Sequence, residues 1–448
     1  MLDTPTPSRV VQRHRIKWPQ AKQHKLWQQF DEDTSGIINA TAKGDVEGRL
    51  KSLTTIITSF GAERFGVEEL KSSKSTDTNN RRADKIQQLR KELRALAKQF
   101  KTAAEDEKPP LAELRHTIRK KLTTLRRAEW HRRRRTERAR KRSSFIANPF
   151  GFTKRLLGQK RSGRLACSKE EVDDYLFNTL RDPDREQELG PQRALLDIPD
   201  PRVEFNTSEP TWKEVQEVVR SARASSAPGP SQVPYKVYKH CPNLLRILWK
   251  LLRVFWHRGT TSDQWRQAEG IWIPKEENST KLEQFRSISL LSVEGKIFFS
   301  VLARRMTDFL LKNEYVDTSV QKGGIPGVPG CLEHTGVVTQ LIREAREGNG
   351  DLAVLWLDLA NAYGSIPHKL VETTLNRHHI PSRIKDLILN YDGNFRLRVT
   401  SGSVTSDWHR LEKGIITGCT ISVILFALAM NMLVKAAETE CRGPLSKS

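Results

Sequence analysis

Residues 352–368 read LAVLWLDLANAYGSIPH, an uncharged apolar run that ends in one aspartate, Asp358, with Tyr363 five places further on. Leu352 to Leu357 show no polar alternation, which predicts a central strand covered on both faces. A carboxylate at the mouth of such a strand is costly unless it holds a cation or caps a loop, and both readings stay open from this segment alone. Gly364 and Pro367 then stop the strand. Pro367 suits the first turn of a helix that runs through Leu370, Val371 and Leu375.

The whole chain narrows the choice. Its 448 residues allow two or three domains, and its formal net charge of +23 points to a polyanionic partner. Nucleic acid comes first and an anionic membrane surface second. Cys167, Cys241, Cys331, Cys419 and Cys441 lack the close spacing of a zinc site and read as reduced thiols of an intracellular protein. The opening MLDTPTPSRVVQRHR has no apolar core and is not a secretory signal. Residues 414–434, GIITGCTISVILFALAMNMLV, are long enough to cross a bilayer. Two early glycines and the polar Thr417, Thr420, Ser422 and Asn431 favour a helix buried inside a soluble domain, so no membrane is expected.

Composition divides the chain further. Residues 1–83 are mixed, with short helices expected around Ala21–Phe30 and Gly48–Phe60 and a linker near Ser75–Asp84. Asp31 to Gly36 imitates a calcium loop, but Ala42 stands where the bidentate glutamate is needed, which excludes calcium. Residues 84–142 are helical and basic. Ile86, Leu89, Leu93 and Leu96 form one apolar stripe, Pro109 and Pro110 break it, and Leu111, Leu114, Ile118, Leu122 and Leu125 continue it. The stripe dissolves into Arg126, Arg127, Arg132, Arg133, Arg134, Arg135, Arg138, Arg140, Lys141 and Arg142, opposed by Glu129 and Glu137. This run reads as a solvated face or nuclear-import signal, which implies nucleus and cytoplasm, or as a contact to nucleic-acid phosphates; the readings are compatible. Residues 143–210 are an irregular linker with a helix at Glu170–Leu180. Helices are expected at Thr211–Arg223 and Asn243–Arg258, with a turn at Ala227-Pro228-Gly229-Pro230 between them.

Five ordered segments carry a resemblance. SSAPGPSQVPYKVYK (225–239) and IWIPKEENSTKLEQFRSISLLSVEGKIFFSVLARRM (271–306) are followed by QKGGIPGVPGCLEH (321–334), LAVLWLDLANAYGSIPH and EKGIITGCTISVILFALAMNML (412–433). Together they resemble part of a reverse transcriptase of the non-LTR (LINE-type) retrotransposons, over roughly the C-terminal half. The resemblance implies an α/β fold in which the basic helical region precedes right-hand polymerase fingers at 211–350 and an incomplete palm at 351–448, without a thumb. The palm would be an antiparallel sheet backed by helices, with the Asp358 strand and strands near Phe395–Thr400 and Trp408–Gly414. It implies an RNA-directed DNA polymerase domain of a retrotransposon polyprotein, with RNA template, DNA primer, dNTP and Mg2+, working in a ribonucleoprotein with retroelement RNA.

The resemblance also assigns roles. Asp358 would be the first catalytic, metal-binding carboxylate, and the Leu359 carbonyl would face the nucleotide-side metal. Tyr363 would press on the sugar and exclude a 2′-hydroxyl, or else simply pack. Lys275 and Arg286 would reach the triphosphate. Gly414 and Gly418 would let backbone approach the templating base pair, and Thr417 stands where relatives carry glutamine. Gly364 replaces a second aspartate and Ser287 a proline. Gly323, Gly324, Gly327 and Gly330 do not form a phosphate-binding P-loop, and Trp249, Trp256, Trp265 and Trp272 read as core before base stackers. The family's third palm motif, a hairpin with adjacent aspartates, does not precede Ser448, and Asp173-Asp174 cannot substitute. The resemblance is thus to a reverse transcriptase truncated before that motif, and the chain as given is expected not to polymerise. The alternative is a retroelement remnant that binds nucleic acid without catalysis.

Overall fold

The computed structural model describes residues 15–68, 81–157, 163, 165, 167–190, 195, 197–325, 328, 330–359, 361–401 and 404–440. The N-terminal 14 residues, most of the expected linker at 75–84, Gly327 and Cys441 lie outside the described residues. The chain divides into two compact units: Met1–Glu69 with Gly163–Ser448, and Leu70–Ser162.

The first unit opens with β1 (Arg15–Ile16), α1 (His24–Thr41), α2 (Val46–Phe65) and β2 (Val67–Glu68), the two short strands pairing antiparallel. Both helices outrun the expected spans. Asp45 caps α2 by accepting from the Gly48 N–H at 2.9 Å, and Gly66 ends it with φ +73°. The calcium-loop mimic lies inside α1.

The second unit consists of α3 (Arg81–Thr102), α4 (Lys108–Ala147) and α5 (Pro149–Leu156). Pro109 and Pro110 occupy the first turn of α4, where a missing N–H costs nothing. Leu89, Leu96 and Leu122 are buried where α3 packs on α4. Glu129 is buried with them, accepting from Arg132 Nε at 3.0 Å and Arg133 Nε at 3.0 Å.

The first unit resumes with α6 (Lys169–Leu180), α7 (Trp212–Ser221), α8 (Tyr235–His240) and α9 (Pro242–Arg258). Reciprocal capping boxes start α6 (Ser168 with Glu171) and α7 (Thr211 with Glu214), so both begin where the sequence suggested. After α9 come β3 (Gln267–Pro274), β4 (Phe285–Leu290), α10 (Val293–Lys312), α11 (Leu332–Glu347), α12 (His368–Arg377), α13 (Ser382–Gly393), β5 (Arg396–Ser401), β6 (Val404–Thr405), β7 (His409–Arg410) and α14 (Thr420–Glu440).

Five strands form one mixed sheet in the order β4-β3-β5-β6, with β7 also on β5. β3 and β4 are antiparallel, whereas β3 and β5 are parallel with Gly270 opposite Val399. A Cβ on Gly270 would lie 2.8 Å from Val399 Cγ2, so the glycine permits this pairing. The expectation of an antiparallel palm sheet is therefore corrected: β5, at the expected palm strand Phe395–Thr400, pairs parallel with β3 of the expected fingers region in one mixed sheet.

The expected strand at Leu352–Leu357 is also not formed. Residues 351–359 are without regular structure, and Leu355, Trp356 and Leu357 are 81%, 78% and 78% exposed. A strand covered on both faces needs ladder partners, and no described strand pairs with this segment. The helix expected after it does form as α12, with Pro367 at its N-cap. The strand expected at Trp408–Gly414 shrinks to β7 because the Glu412 and Lys413 N–H groups donate to the Leu180 carbonyl at 3.0 and 3.2 Å.

The core of this unit gathers α9, α10 and α14. Trp265 packs on Phe255 and Phe298, and Phe299 on Tyr391. Trp249 and Trp256 are anchored through indole N–H bonds to the carbonyls of Pro210 (2.8 Å) and Thr207 (2.9 Å). α14 is the described helix long and apolar enough to cross a membrane by length and composition, and half of that span, including Ile421, Leu425 and Leu428, is buried within the fold.

Candidate functional site

The loop between β7 and α14 ties three segments together that are far apart in sequence. Gly414 has φ +90° and Gly418 φ +91°, conformations that suit glycine. The Gly414 N–H donates to the Ile366 carbonyl at 2.7 Å and the Ile415 N–H to the Tyr363 carbonyl at 2.8 Å. A Cβ on Gly414 would meet Gly364 Cα at 2.8 Å, so the two glycines permit each other's approach. On the other side, a Cβ on Gly418 would stand 2.8 Å from the Ser289 carbonyl oxygen in β4, and Thr417 Oγ1 is 3.2 Å from Ser289 Oγ. His368 in α12 completes the clasp with Nε2 3.0 Å from the Gly414 carbonyl, and burial holds its pKa below the usual imidazole value.

Tyr363 begins a short 3-10 turn, Tyr363–Ser365. Its half-buried ring stacks on Phe426 of α14, centroids 4.9 Å apart and planes 7° from parallel, and burial pushes its phenol pKa up. The packing role considered for Tyr363 is thus physically realised, with one ring face engaged and the side chain still partly accessible.

Other expected site residues stand apart from this clasp. Lys275 follows β3, and its Nζ donates to the Glu283 carbonyl at 2.6 Å within the β3–β4 hairpin. Arg286 is exposed on β4 and faces no carboxylate among the described residues. Strand alternation puts it on the opposite face from Ser289, hence away from the Thr417 contact. Asp358 and Leu359 lie in the exposed segment 351–359. Among the described residues no group of three or more His, Cys, Asp or Glu is placed to hold a metal ion. Asp358 with one neighbouring carbonyl does not fit a magnesium site, which needs near-octahedral oxygen ligands. The arginine run lies on α4, in the other unit.

Buried polar groups elsewhere in this unit sit in surroundings that the sequence does not announce. Asp392 of α13 is buried with no hydrogen bond to either carboxylate oxygen, and desolvation pushes its pKa up to about 8. Its neighbour Tyr391 reaches Cys419 Sγ at 3.9 Å, just after Gly418, and burial pushes that thiol up to about 11. Arg305 of α10 holds Glu214 through Nε at 2.7 Å and Nη2 at 2.8 Å, bonds the Asn206, Ser208 and Glu209 carbonyls, and lies over Trp256. Asp31 accepts the first free N–H groups of α9, from Asn243 at 2.9 Å and Leu244 at 3.0 Å. Only proximity in three dimensions pairs these groups, since in sequence the members of each set lie far apart.

Comparison with known proteins agrees with the motif reading. Residues 273–446 match the family described as Reverse transcriptase (RNA-dependent DNA polymerase). The chain is similar to the Retrovirus-related Pol polyprotein from type-2 retrotransposable element R2DM of Drosophila melanogaster, 24% identical over 236 residues, covering 52% of this chain and 22% of the relative. It is also similar to the Retrovirus-related Pol polyproteins from type-1 retrotransposable element R2 of Nasonia vitripennis (24% over 222 residues, 50% and 21%) and Bradysia coprophila (25% over 237 residues, 52% and 26%). The matches therefore span about a quarter or less of these relatives. Residues 273–446 are thus similar to a reverse transcriptase domain, and the matching stretch of the chain is similar to the R2-type non-LTR retrotransposon Pol proteins. Active members of that family use a divalent metal and bind template, primer and dNTP.

Proposed function

We propose that this chain supplies fingers and part of the palm of an RNA-directed DNA polymerase from an R2-like retrotransposon. The observation that carries the reading is the clasp: the Gly414–Gly418 loop docks at once on the Tyr363 turn and on Ser289 of β4. Three motifs spread over more than a hundred residues meet there, and the second and last are joined by backbone hydrogen bonds, which leaves little tolerance for substitution. In this reading Tyr363, braced by Phe426, presents its accessible edge to the sugar of the incoming nucleotide. Lys275 exchanges the Glu283 carbonyl for a phosphate oxygen, a stronger charge-assisted partner, and Arg286 offers a second cation. Asp358 is the carboxylate of the reacting centre, working with others that the described residues do not bring to it.

A second reading is supported by one observation: no described carboxylate joins Asp358 in a metal-binding group. In that reading the chain is a retroelement remnant that holds nucleic acid without copying it. Primer extension on an RNA template, with magnesium or manganese, separates the two. Template-directed extension lost in Asp358→Ala supports the polymerase, whereas tight binding of the RNA–DNA hybrid without extension supports the remnant. Where extension occurs, Tyr363→Ala should raise ribonucleotide relative to deoxynucleotide incorporation; equal loss of both would reduce Tyr363 to packing.

A further inference from the structure

The second unit lies outside residues 273–446, yet it carries the densest charge in the chain. Within it, a groove of about 470 Å³ is lined by Ile86, Gln87 and Arg90 of α3 and by Arg126, Trp130 and Arg133 of α4. Trp130 is 52% exposed, unusual for the largest apolar side chain and more so within an arginine run. The Arg134 guanidinium sits 4.9 Å from the centre of its ring, and His131 meets it edge-on at 4.8 Å. We propose that the α3–α4 hairpin is a binding site for single-stranded nucleic acid, in which a base stacks on Trp130 and the flanking arginines hold the phosphates.

Charge, shape and length agree. Glu129 takes up Arg132 and Arg133, and Glu137 takes up Lys141, whereas Arg126, Arg127, Arg135, Arg138, Arg140 and Arg142 meet no carboxylate among the described residues. The stretch from Arg126 to Arg142 rises about 24 Å along the helix, room for a short strand of several nucleotides. An aromatic face beside a cationic rim is what an unpaired base and its phosphate require together. A duplex hides its base faces inside the stack, so Trp130 would gain nothing from one, and only the charges would act. This inference does not depend on the polymerase reading and would survive its failure.

The experiment is fluorescence anisotropy on the full chain with four labelled 12-mers: single-stranded RNA, single-stranded DNA, the same DNA with central abasic sites, and duplex DNA. Trp130→Ala should weaken single-strand binding by roughly 5- to 100-fold, with Trp130→Phe recovering most of it. The same Trp130→Ala change should leave abasic and duplex binding unaltered. Replacing Arg126, Arg135 and Arg138 with glutamine should instead flatten the dependence of log affinity on log salt for every oligomer. A preference for the RNA or the DNA strand fits the proposal and names the occupant. Single-strand binding indifferent to Trp130, or an equal loss on the abasic oligomer, would overturn it. A salt slope unchanged by the arginine replacements would do the same, leaving the run an import signal or a solvated face.

Discussion

Gly418 and Asp392 show how single positions set the tolerances of the clasp. Gly418→Ala would place a Cβ 2.8 Å from the Ser289 carbonyl oxygen at φ +91°, and should cost about 1–3 kcal/mol by chemical denaturation. Gly393, at the end of α13 with nothing within 4 Å of its Cβ position, is the control: alanine there should be neutral or stabilising. Asp392 gives the molecule a pH signature. Its carboxyl, pushed up to about 8 from 3.8, keeps a proton that the unfolded chain has released, so its contribution declines as pH rises through that interval. His378 runs the other way: burial lowers it from 6.5 to about 4, so stability is lost as pH falls through that window. The two oppose each other below about pH 6.5, which leaves the Asp392 slope between about 6.5 and 8. The neighbouring Tyr391 and Cys419 titrate higher and do not interfere. The urea midpoint should therefore drop across pH 6.5–8, a loss of about 2 kcal/mol over that window, and Asp392→Asn should abolish the drop. None of this was legible in the sequence, where Asp392 is one of many helix carboxylates. Gly414 and Gly418 were singled out by the resemblance, as glycines beside a base pair; the backbone approaches the structure shows are to Gly364 and Ser289.

Helices and strands differ in how well the chain announced them. α6, α7, α9, α12 and α14 appear close to where apolar spacing and capping residues put them, since a helix satisfies its own backbone and needs only one face covered. The Leu352–Leu357 segment failed as a strand because a strand takes its hydrogen bonds from elsewhere, and six apolar letters say nothing about a partner. The same dependence on distant residues makes Arg305 decisive for α7 and α10. Its guanidinium is nearly enclosed, so Arg305→Met should strand the Glu214 carboxylate and cost about 3–5 kcal/mol in a denaturation titration. Adding Glu214→Leu should recover much of that loss, since an apolar pair of similar volume replaces the ion pair without a stranded charge. Failure of the double variant to recover would mean that the carbonyls of Asn206 and Ser208 are what need the arginine.

At the scale of the whole molecule, the unit that contains residues 273–446 is assembled from sequence that precedes and follows the basic hairpin. α1 and α2 pack on α9, burying Trp27, Phe30, Leu50, Leu53 and Ile57, and Asp31 caps α9 across that junction. A variant that starts at residue 163 should consequently be insoluble or molten, whereas replacing residues 70–162 with a long flexible linker should leave a cooperative unfolding transition; light scattering and urea melts read both outcomes. The insertion also imposes a timetable on synthesis. α2 ends at Phe65 and α9 begins at Pro242, so at typical elongation rates roughly 175 codons, or on the order of 10–35 s, separate the emergence of the two surfaces from the ribosome. For that interval the apolar faces of α1 and α2 travel without their partner while an arginine-rich helix is extruded behind them. The nascent chain thus needs chaperone cover early, and it offers its cationic hairpin to nearby RNA, the messenger that encodes it included, before the rest of the protein exists.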